Sequence, residues 1–249
     1  MNTNLLLVSI IFQWGFFEYS VNAQWFNLEV LKSYLNNTSQ ARIIQPPQDA
    51  AVLEGEDALF FCGVEGSPEP IVNFLLDGQS GKLSGETGKV ILLDGGGGSL
   101  LRLFKVSTKQ NGIKVECFAS NHVGNDKASA HLKVYKYSDH VPIGFPKFVR
   151  PPQTHSVDVG KRIQLQCEAE GAPDLKFVWL KNGVPIRSNQ QGSQALGYRV
   201  QQPLEFENVN PSDDANYECL VSNKFGSILS SKVHLAVKEP LEKLHQVGR

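Results

Sequence analysis

The chain has 249 residues, with 24 lysines and arginines against 25 aspartates and glutamates. This length allows two domains of about 100 residues each, and the near-neutral charge argues against nucleic acid as a partner. Four cysteines favour two disulfides in an oxidising compartment over four free thiols in the cytosol.

The N-terminus has the pattern of a signal peptide. Residues 5–12 form an apolar run, and Val21-Asn22-Ala23 has the small-residue pattern that signal peptidase cleaves, although no lysine or arginine precedes the run. Gln13 and Glu18 interrupt the apolar stretch, which leaves it too short for a hydrocarbon layer of about 30 Å. We therefore expect residues 1–23 to be removed and the mature chain to be secreted, without membrane insertion.

Residues 24–41 form a leader before the first predicted domain. Its apolar side chains recur roughly at helical spacing, so a short amphipathic helix and a flexible segment both remain open. The run Asn36-Asn37-Thr38-Ser39 contains two overlapping glycosylation sequons. Because neighbouring glycans would crowd each other, we expect no more than one of Asn36 and Asn37 to be occupied.

Residues 42–135 have the pattern of a first all-β domain. Alternating apolar residues and the turn signal Asp77-Gly78 predict strands at 58–62, 71–76, 99–103, 114–120 and 127–135. Cys62 and Cys117 lie 55 residues apart, and Phe74 follows twelve residues after the first of them.

Residues 146–237 repeat this pattern as a second domain. Strands are expected at 163–167 and 176–180, Cys167 and Cys219 lie 52 residues apart, and Trp179 again follows twelve residues after the first cysteine. The connection, residues 136–145, is too short and apolar for a loose tether, so we expect Val141, Ile143 and Phe145 to pack between the domains. The tail, residues 238–249, is polar and has no lipid-anchor signal.

The repeated frame of two cysteines and an aromatic residue is typical of an immunoglobulin sandwich. A disulfide from strand B to strand F spans the roughly 10 Å between the sheets, and an aromatic residue of strand C packs against it. The frame predicts disulfides Cys62–Cys117 and Cys167–Cys219, and core positions for Phe74 and Trp179.

The segment before the last cysteine distinguishes the two domains. Tyr217 lies two residues before Cys219, in the position of a tyrosine corner, whereas Val115 at the equivalent position has no hydroxyl. We therefore expect the first domain to be the less stable. The segments between the cysteines are too short for the extra central strands of a variable-type domain, so the fold class is all-β, with two tandem I-set or C2-like sandwiches.

Catalytic and metal motifs are incomplete. Residues 95–98 are four glycines without the Gly-Lys-Ser/Thr of a phosphate loop, and we expect a flexible turn there. No Gly-x-Ser-x-Gly motif occurs, and the six histidines show no metal spacing. We expect a protein that is not an enzyme and uses no cofactor or metal.

Two segments resemble the leukocyte-antigen-related receptor tyrosine phosphatases. Residues 94–103 are similar to the strand D–E region in the first immunoglobulin domain of those receptors, and Pro142-Ile143-Gly144-Phe145-Pro146 is similar to their interdomain connection. The resemblance covers residues 42–237 and implies that the two domains fold back on each other. The receptors use a lysine-rich loop after strand C for glycosaminoglycans. Here residues 76–82 contain a single base, so the resemblance does not support heparan sulfate binding.

The layout also resembles small secreted two-immunoglobulin proteins of invertebrates, including the nematode "zwei Ig" proteins, which keep axons in position. This resemblance implies adhesion, axon maintenance or axon guidance in the nervous system, through a cell-surface receptor or an extracellular matrix protein. The F–G turns offer exposed candidates: His122, Val123, Lys224 and Phe225. For Phe225 we favour a turn residue that packs beside the sheet over an exposed contact.

Two alternatives remain open. One is a carrier that sequesters an insulin-like or other peptide hormone in a hydrophobic groove, between the domains or beside the leader. The other is a passive matrix component.

Overall fold

The structure, a computed structural model, describes residues 38–79, 85–93, 97–136, 141–186 and 199–239. The predicted signal peptide, the two candidate glycosylation sites Asn36 and Asn37, and the tail from residue 240 lie outside the described residues. No helix in the described ranges is long and apolar enough to span a membrane. The two domains belong to one compact unit that begins at Ser39.

The first domain is a sandwich of two sheets. Its strands in the described ranges are β1 Ser39–Gln45, β2 Ala50–Leu53, β3 Ala58–Ser67, β4 Ile71–Leu76, β5 Gly88–Leu92, β6 Gly98–Leu103, β7 Lys114–Asn121 and β8 Gly124–Tyr135. One sheet has the order β1-β3-β6-β5 and the other β2-β8-β7-β4. A 3-10 helix, Thr108–Gln110, precedes β7. The expected strand 71–76 coincides with β4, whereas β3 continues past its expected end at Cys62.

Gly98 explains why a glycine-rich run leads into β6. Its φ is 144°, and a Cβ at this position would lie 2.2 Å from the carbonyl oxygen of Cys62 on β3. Only glycine lets the two backbones approach this closely. The last residue of the run therefore begins a strand, where we had expected a turn, while residues 94–96 lie outside the described part.

The second domain has the same two-sheet plan. Its strands are β9 Lys147–Arg150, β10 His155–Asp158, β11 Ile163–Leu165, β12 Glu168–Glu170, β13 Lys176–Lys181, β14 Val184–Pro185, β15 Arg199–Gln201, β16 Leu204–Phe206, β17 Ala215–Asn223, β18 Gly226–Leu229 and β19 Val233–Lys238. One face has the order β10-β19-β17-β13-β14, with β18 also on β17. The other consists of the ladders β9-β12-β15 and β11-β16. A 3-10 helix, Pro211–Asp213, precedes β17.

The expected strand 163–167 is divided into β11 and β12. Leu165 pairs with Leu204 and Glu168 with Gln201, so the break lies opposite Gln202 and Pro203. Proline has no N–H to donate to a ladder. The prediction of one continuous strand was wrong because it did not take into account the proline in the partner strand.

The cysteine frame lies at the centre of each domain. Cys62 is bonded to Cys117 and Cys167 to Cys219, with Cα–Cα distances of 6.4 and 6.5 Å. In register terms, Phe74 lies opposite Cys117 and Trp179 opposite Cys219, and both aromatic side chains are buried. The indole Nε1 of Trp179 donates to the carbonyl oxygen of Gln202 over 3.1 Å, which satisfies its one polar group.

Tyr217 forms a tyrosine corner. Its side chain is fully buried, and its hydroxyl donates to the carbonyl oxygen of Asp213 over 3.0 Å. Burial, with the nearby carboxylates of Asp213 and Asp214, raises the pKa of the Tyr217 hydroxyl well above its ordinary value. Val115 of the first domain is equally buried but makes no such bond.

The connection differs from expectation. Ile143 is 99% exposed and Val141 is 38% exposed, so neither packs between the domains. The chain turns here: the N–H of Phe145 donates to the carbonyl of Pro142, and Gly144 has a φ of 93°. This turn holds Ile143 at its tip, in solvent, and leaves only the Phe145 ring to pack, edge-on against Tyr135.

Candidate binding surfaces and the junction between the domains

The two domains share a buried apolar cluster. Leu59 and Leu100 come from β3 and β6 of the first domain, and Leu180 and Leu220 come from β13 and β17 of the second. Their sequence neighbours point into the domain cores, so these four side chains lie on the outer faces of the sheets. The partly buried hydrophobic residues that pack around them are Phe61, Ile91, Leu93, Val178 and Leu229. An outer face of one domain therefore covers an outer face of the other.

A bidentate ion pair crosses the same junction. The two terminal nitrogens of Arg102 donate to the two carboxylate oxygens of Glu218, each over 2.8 Å, and its Nε donates to Asp57 over 2.7 Å. The side chains of Arg102 and Glu218 are only 6% and 3% exposed. Burial alone disfavours the charged guanidinium, but the bonds to Glu218 and Asp57 outweigh it and raise the pKa of Arg102.

The turn between β17 and β18, which is the F–G turn of the second domain, contacts both the connection and the first domain. A Cβ on Gly226 would lie 2.2 Å from Cε2 of Phe145 and 2.5 Å from the carbonyl oxygen of Ala51 on β2. The side-chain nitrogen of Asn223 donates to the carbonyl of Gly144 over 2.8 Å. This part of the chain is therefore fitted against the first domain and needs glycine at position 226.

The four F–G turn candidates lie in different surroundings. His122 and Val123 of the first domain are exposed, as is Lys224 of the second. Phe225 is half-buried, with the Nζ of Lys224 5.0 Å from its ring centroid. Phe225 is thus less available to a partner than the other three residues, which stay candidates for contact.

The other described residues leave most of the outer face of β4, β7 and β8 in the first domain uncovered; the exception is the end of β8, where Phe145 packs against Tyr135. Val115, Cys117 and Ala119 of β7 point into the core, which places Glu116 and Phe118 on the outer face. On β4 the same alternation places Ile71, Asn73 and Leu75 there; Ile71 is 69% exposed. We call this surface the outer β4-β7-β8 face.

An apolar cleft of about 450 Å³ adjoins this face. Exposed Ile71 and Leu92 lie at the cleft, together with Ser99, whose fully buried hydroxyl has no hydrogen-bond partner among the described residues. No group of three His, Cys, Asp or Glu side chains suited to a metal ion occurs in the described ranges.

The residues of the junction were not identified from the sequence. The signal that could have found them is strand β6, Gly98–Leu103, which is buried along its whole length rather than at alternate positions. A strand that is apolar on both faces is covered on both faces. The signal lies in the consecutive residues Leu100 and Leu101, which point to opposite faces of the sheet, and in the single charged residue Arg102 that follows them.

Comparisons with known proteins agree with this architecture. The family model of the immunoglobulin I-set domain matches residues 41–134 and 146–237. The tyrosine-protein phosphatase Lar of Drosophila melanogaster is 33% identical over 199 residues, which cover 79% of this chain and 9% of that protein. The receptor-type tyrosine-protein phosphatase F of Danio rerio is 31% identical over 219 residues, which cover 85% of this chain and 11% of that protein. The chain thus spans about a tenth of the length of these curated relatives.

Solved structures locate the likeness within those receptors. The N-terminal Ig1-2 module of the Drosophila receptor protein tyrosine phosphatase DLAR has a TM-score of 0.69 and 31% identity, and the match covers 80% of this chain and 100% of that one. The tandem Ig repeats of Dlar have a TM-score of 0.68 and 32% identity, and the match covers 81% of this chain and 99% of that one. The predicted fold class and the predicted resemblance to the leukocyte-antigen-related receptor phosphatases are confirmed. The match is to the immunoglobulin region of the receptors, which is not catalytic.

Proposed function

Because the chain belongs to the immunoglobulin I-set family, we propose that it is a secreted binding protein that captures a cell-surface receptor or an extracellular matrix protein. The observation that carries the proposal is the junction. Its apolar cluster and the Arg102–Glu218 pair join the two domains into one body, as expected of a module that presents a binding surface. The match to a complete receptor Ig1-2 module supports the same conclusion.

We further propose that this binding acts at neuronal surfaces, in axon maintenance or guidance. The resemblance of the connection, residues 142–146, to that of the receptors supports this site of action. The mechanism is occupancy. The released pair of domains binds a partner at the membrane or in the matrix, or competes for it with a membrane-bound relative of similar domain structure.

The junction argues against a peptide-hormone carrier that binds between the domains. Such a carrier needs a groove with free apolar surface. Leu59, Leu100, Leu180 and Leu220 contact one another across the domains and are at most 8% exposed. These four side chains therefore leave no free apolar surface for a hormone to occupy.

The test is a surface-binding assay with the tagged mature protein. We expect saturable staining of living neurons, restricted to certain cell types. A partner that contacts both domains should stain more weakly after Glu218→Arg, which places a second cation against Arg102. Glu207→Arg makes the same charge change at an exposed site and is the control; it should stain as the unmodified protein does. Diffuse staining along basement membranes would support a passive matrix component instead. Micromolar binding of insulin-like peptides by calorimetry would support the carrier.

A further inference from the structure

The second domain shows which face of this fold docks on an immunoglobulin domain. On its β13-β17-β18 face, the cross-strand pairs Leu180–Glu218, Val178–Leu220 and Leu220–Leu229 contain the residues that meet the first domain. The pair Trp179–Cys219 gives the reference position for comparing this register with that of the first domain.

The first domain has the same register on its outer β4-β7-β8 face, anchored by Phe74 opposite Cys117. The equivalent pairs are Leu75–Glu116, Asn73–Phe118 and Phe118–Lys127. The leucine–glutamate pair is identical, and Phe118 takes the place of Leu220. Asn73 and Lys127 replace Val178 and Leu229, so the apolar part of this face is narrower and consists of Phe118 and Leu75.

The charges on the two faces differ. The strands of the outer β4-β7-β8 face carry Lys114 at one end of β7, two exposed lysines of β8, Lys127 and Lys133, and one carboxylate, Glu116. The carboxylates of Asp49 and Asp77 lie at the rim of the face, where they accept the backbone N–H groups of His131 and Lys114. Lys114 already neutralises the carboxylate of Glu116, with its Nζ 2.8 Å from Oε1. His131, also on β8, lies beside Asp49 at the edge of the sheet. Within the strands, three lysines against one glutamate leave the middle of the face positive.

We propose that the outer β4-β7-β8 face binds a partner protein whose surface has an apolar centre and an acidic rim. This inference rests on the proposed function and names the surface that carries it. Charge complementarity selects the partner: the lysines repel a second copy of the same face, and they repel an arginine-bearing face such as the one that Glu218 meets. Phe118, with Leu75 and Ile71, supplies the kind of central aromatic and aliphatic contact that dominates protein interfaces.

A single engineered glycan tests the site. Leu75→Thr completes a glycosylation sequon at Asn73, an exposed residue in the middle of the face. The matched control is the double change Gln164→Asn with Gln166→Thr, which places a glycan on the outer side of β11 in the second domain. The probe is cultured neurons treated with heparinase. We expect the glycan at Asn73 to reduce binding at least tenfold and the control glycan to leave it within twofold.

Two point substitutions separate the apolar and charged contributions. Phe118→Ser should weaken binding at least tenfold, and Lys127→Glu at least threefold, with a loss of salt dependence. Lys147→Glu, a charge reversal at an exposed lysine of the second domain, should have no effect. Because Lys127 is exposed, its substitution tests the face even if Phe118→Ser impairs folding.

The outcomes distinguish this inference from the proposed function. Binding by the unmodified protein that persists with the glycan at Asn73 overturns the inference and leaves the proposed function standing. Binding that disappears on heparinase treatment, or that survives trypsin treatment of the neurons, overturns the inference because the partner is then not a protein. A dimer in sedimentation that the Asn73 glycan dissociates also overturns it, because the face then binds a second copy. No binding by the unmodified protein overturns both.

Discussion

Glu218→Ala should separate the two domains. The substitution leaves the guanidinium of Arg102 buried with only one of its two carboxylate partners, Asp57. Breaking a buried pair from one side costs about 3–5 kcal/mol, because the remaining charge is neither hydrated nor fully paired. The chain can avoid this cost by opening the junction, which lets Arg102 reach water and exposes the leucine cluster.

The assay combines small-angle scattering with urea unfolding. We expect Glu218→Ala to increase the radius of gyration and to lower the free energy of unfolding by about 3 kcal/mol or more. Glu207→Ala is the control, since its pair with Arg162 lies at the surface, with side chains 71% and 59% exposed, and such pairs contribute about 0–1 kcal/mol.

Replacing both partners tests the reasoning more strictly. Arg102→Met with Glu218→Leu removes the charges together and adds apolar surface to the cluster, so this double variant should stay closed and lose little stability. Asp57 then keeps one bond, because its Oδ1 accepts the N–H of Lys105. A closed Glu218→Ala protein with less than about 1 kcal/mol of lost stability would refute the view that this pair holds the junction.

Other predictions concern the turn and the core. Gly226→Ala should open the junction in scattering, because its Cβ meets Phe145 and Ala51, whereas Gly85→Ala, which meets nothing within 4 Å, should not; equal scattering curves would contradict this. Tyr217→Phe should cost about 1 kcal/mol in urea unfolding, because it removes the bond to Asp213, and no measurable cost would be contrary evidence. Folding raises the pKa of Tyr217, so its contribution is complete below about pH 10 and declines at higher pH. Tyr217→Phe should abolish that decline, and a decline that persists would assign it to other groups.

The parts of the fold that depend on local pattern could be predicted from the sequence. The spacing of the cysteines and of Phe74 and Trp179 was sufficient for both sandwiches, because a disulfide across two sheets restricts which strands can carry it. The division of β11 from β12 could not be predicted from that strand alone. It depends on Pro203 in the partner strand, and the pairing partner is not visible in a run of apolar residues.

The junction was harder to predict because its residues are far apart in the chain. Arg102 and Glu218 are separated by 116 positions, and each taken alone has the pattern of an ordinary surface charge in a strand. The apolar residues of the connection misled for the opposite reason. Ile143 and Val141 suggest burial because they are apolar, but the turn at Gly144 leaves Phe145 as the only one of the three apolar side chains that packs against a domain.

The junction also determines how the protein can bind. Two domains on a flexible connection lose conformational freedom when a partner contacts both, and ordering of this kind opposes association. Here the Arg102–Glu218 pair and the leucine cluster order the domains before any partner is present. A surface on the first domain, such as the outer β4-β7-β8 face, is then held at a defined position relative to the second domain. A partner that contacts both domains should consequently bind the closed protein more tightly than the opened Glu218→Ala variant, while a partner that contacts only the first domain should bind both equally.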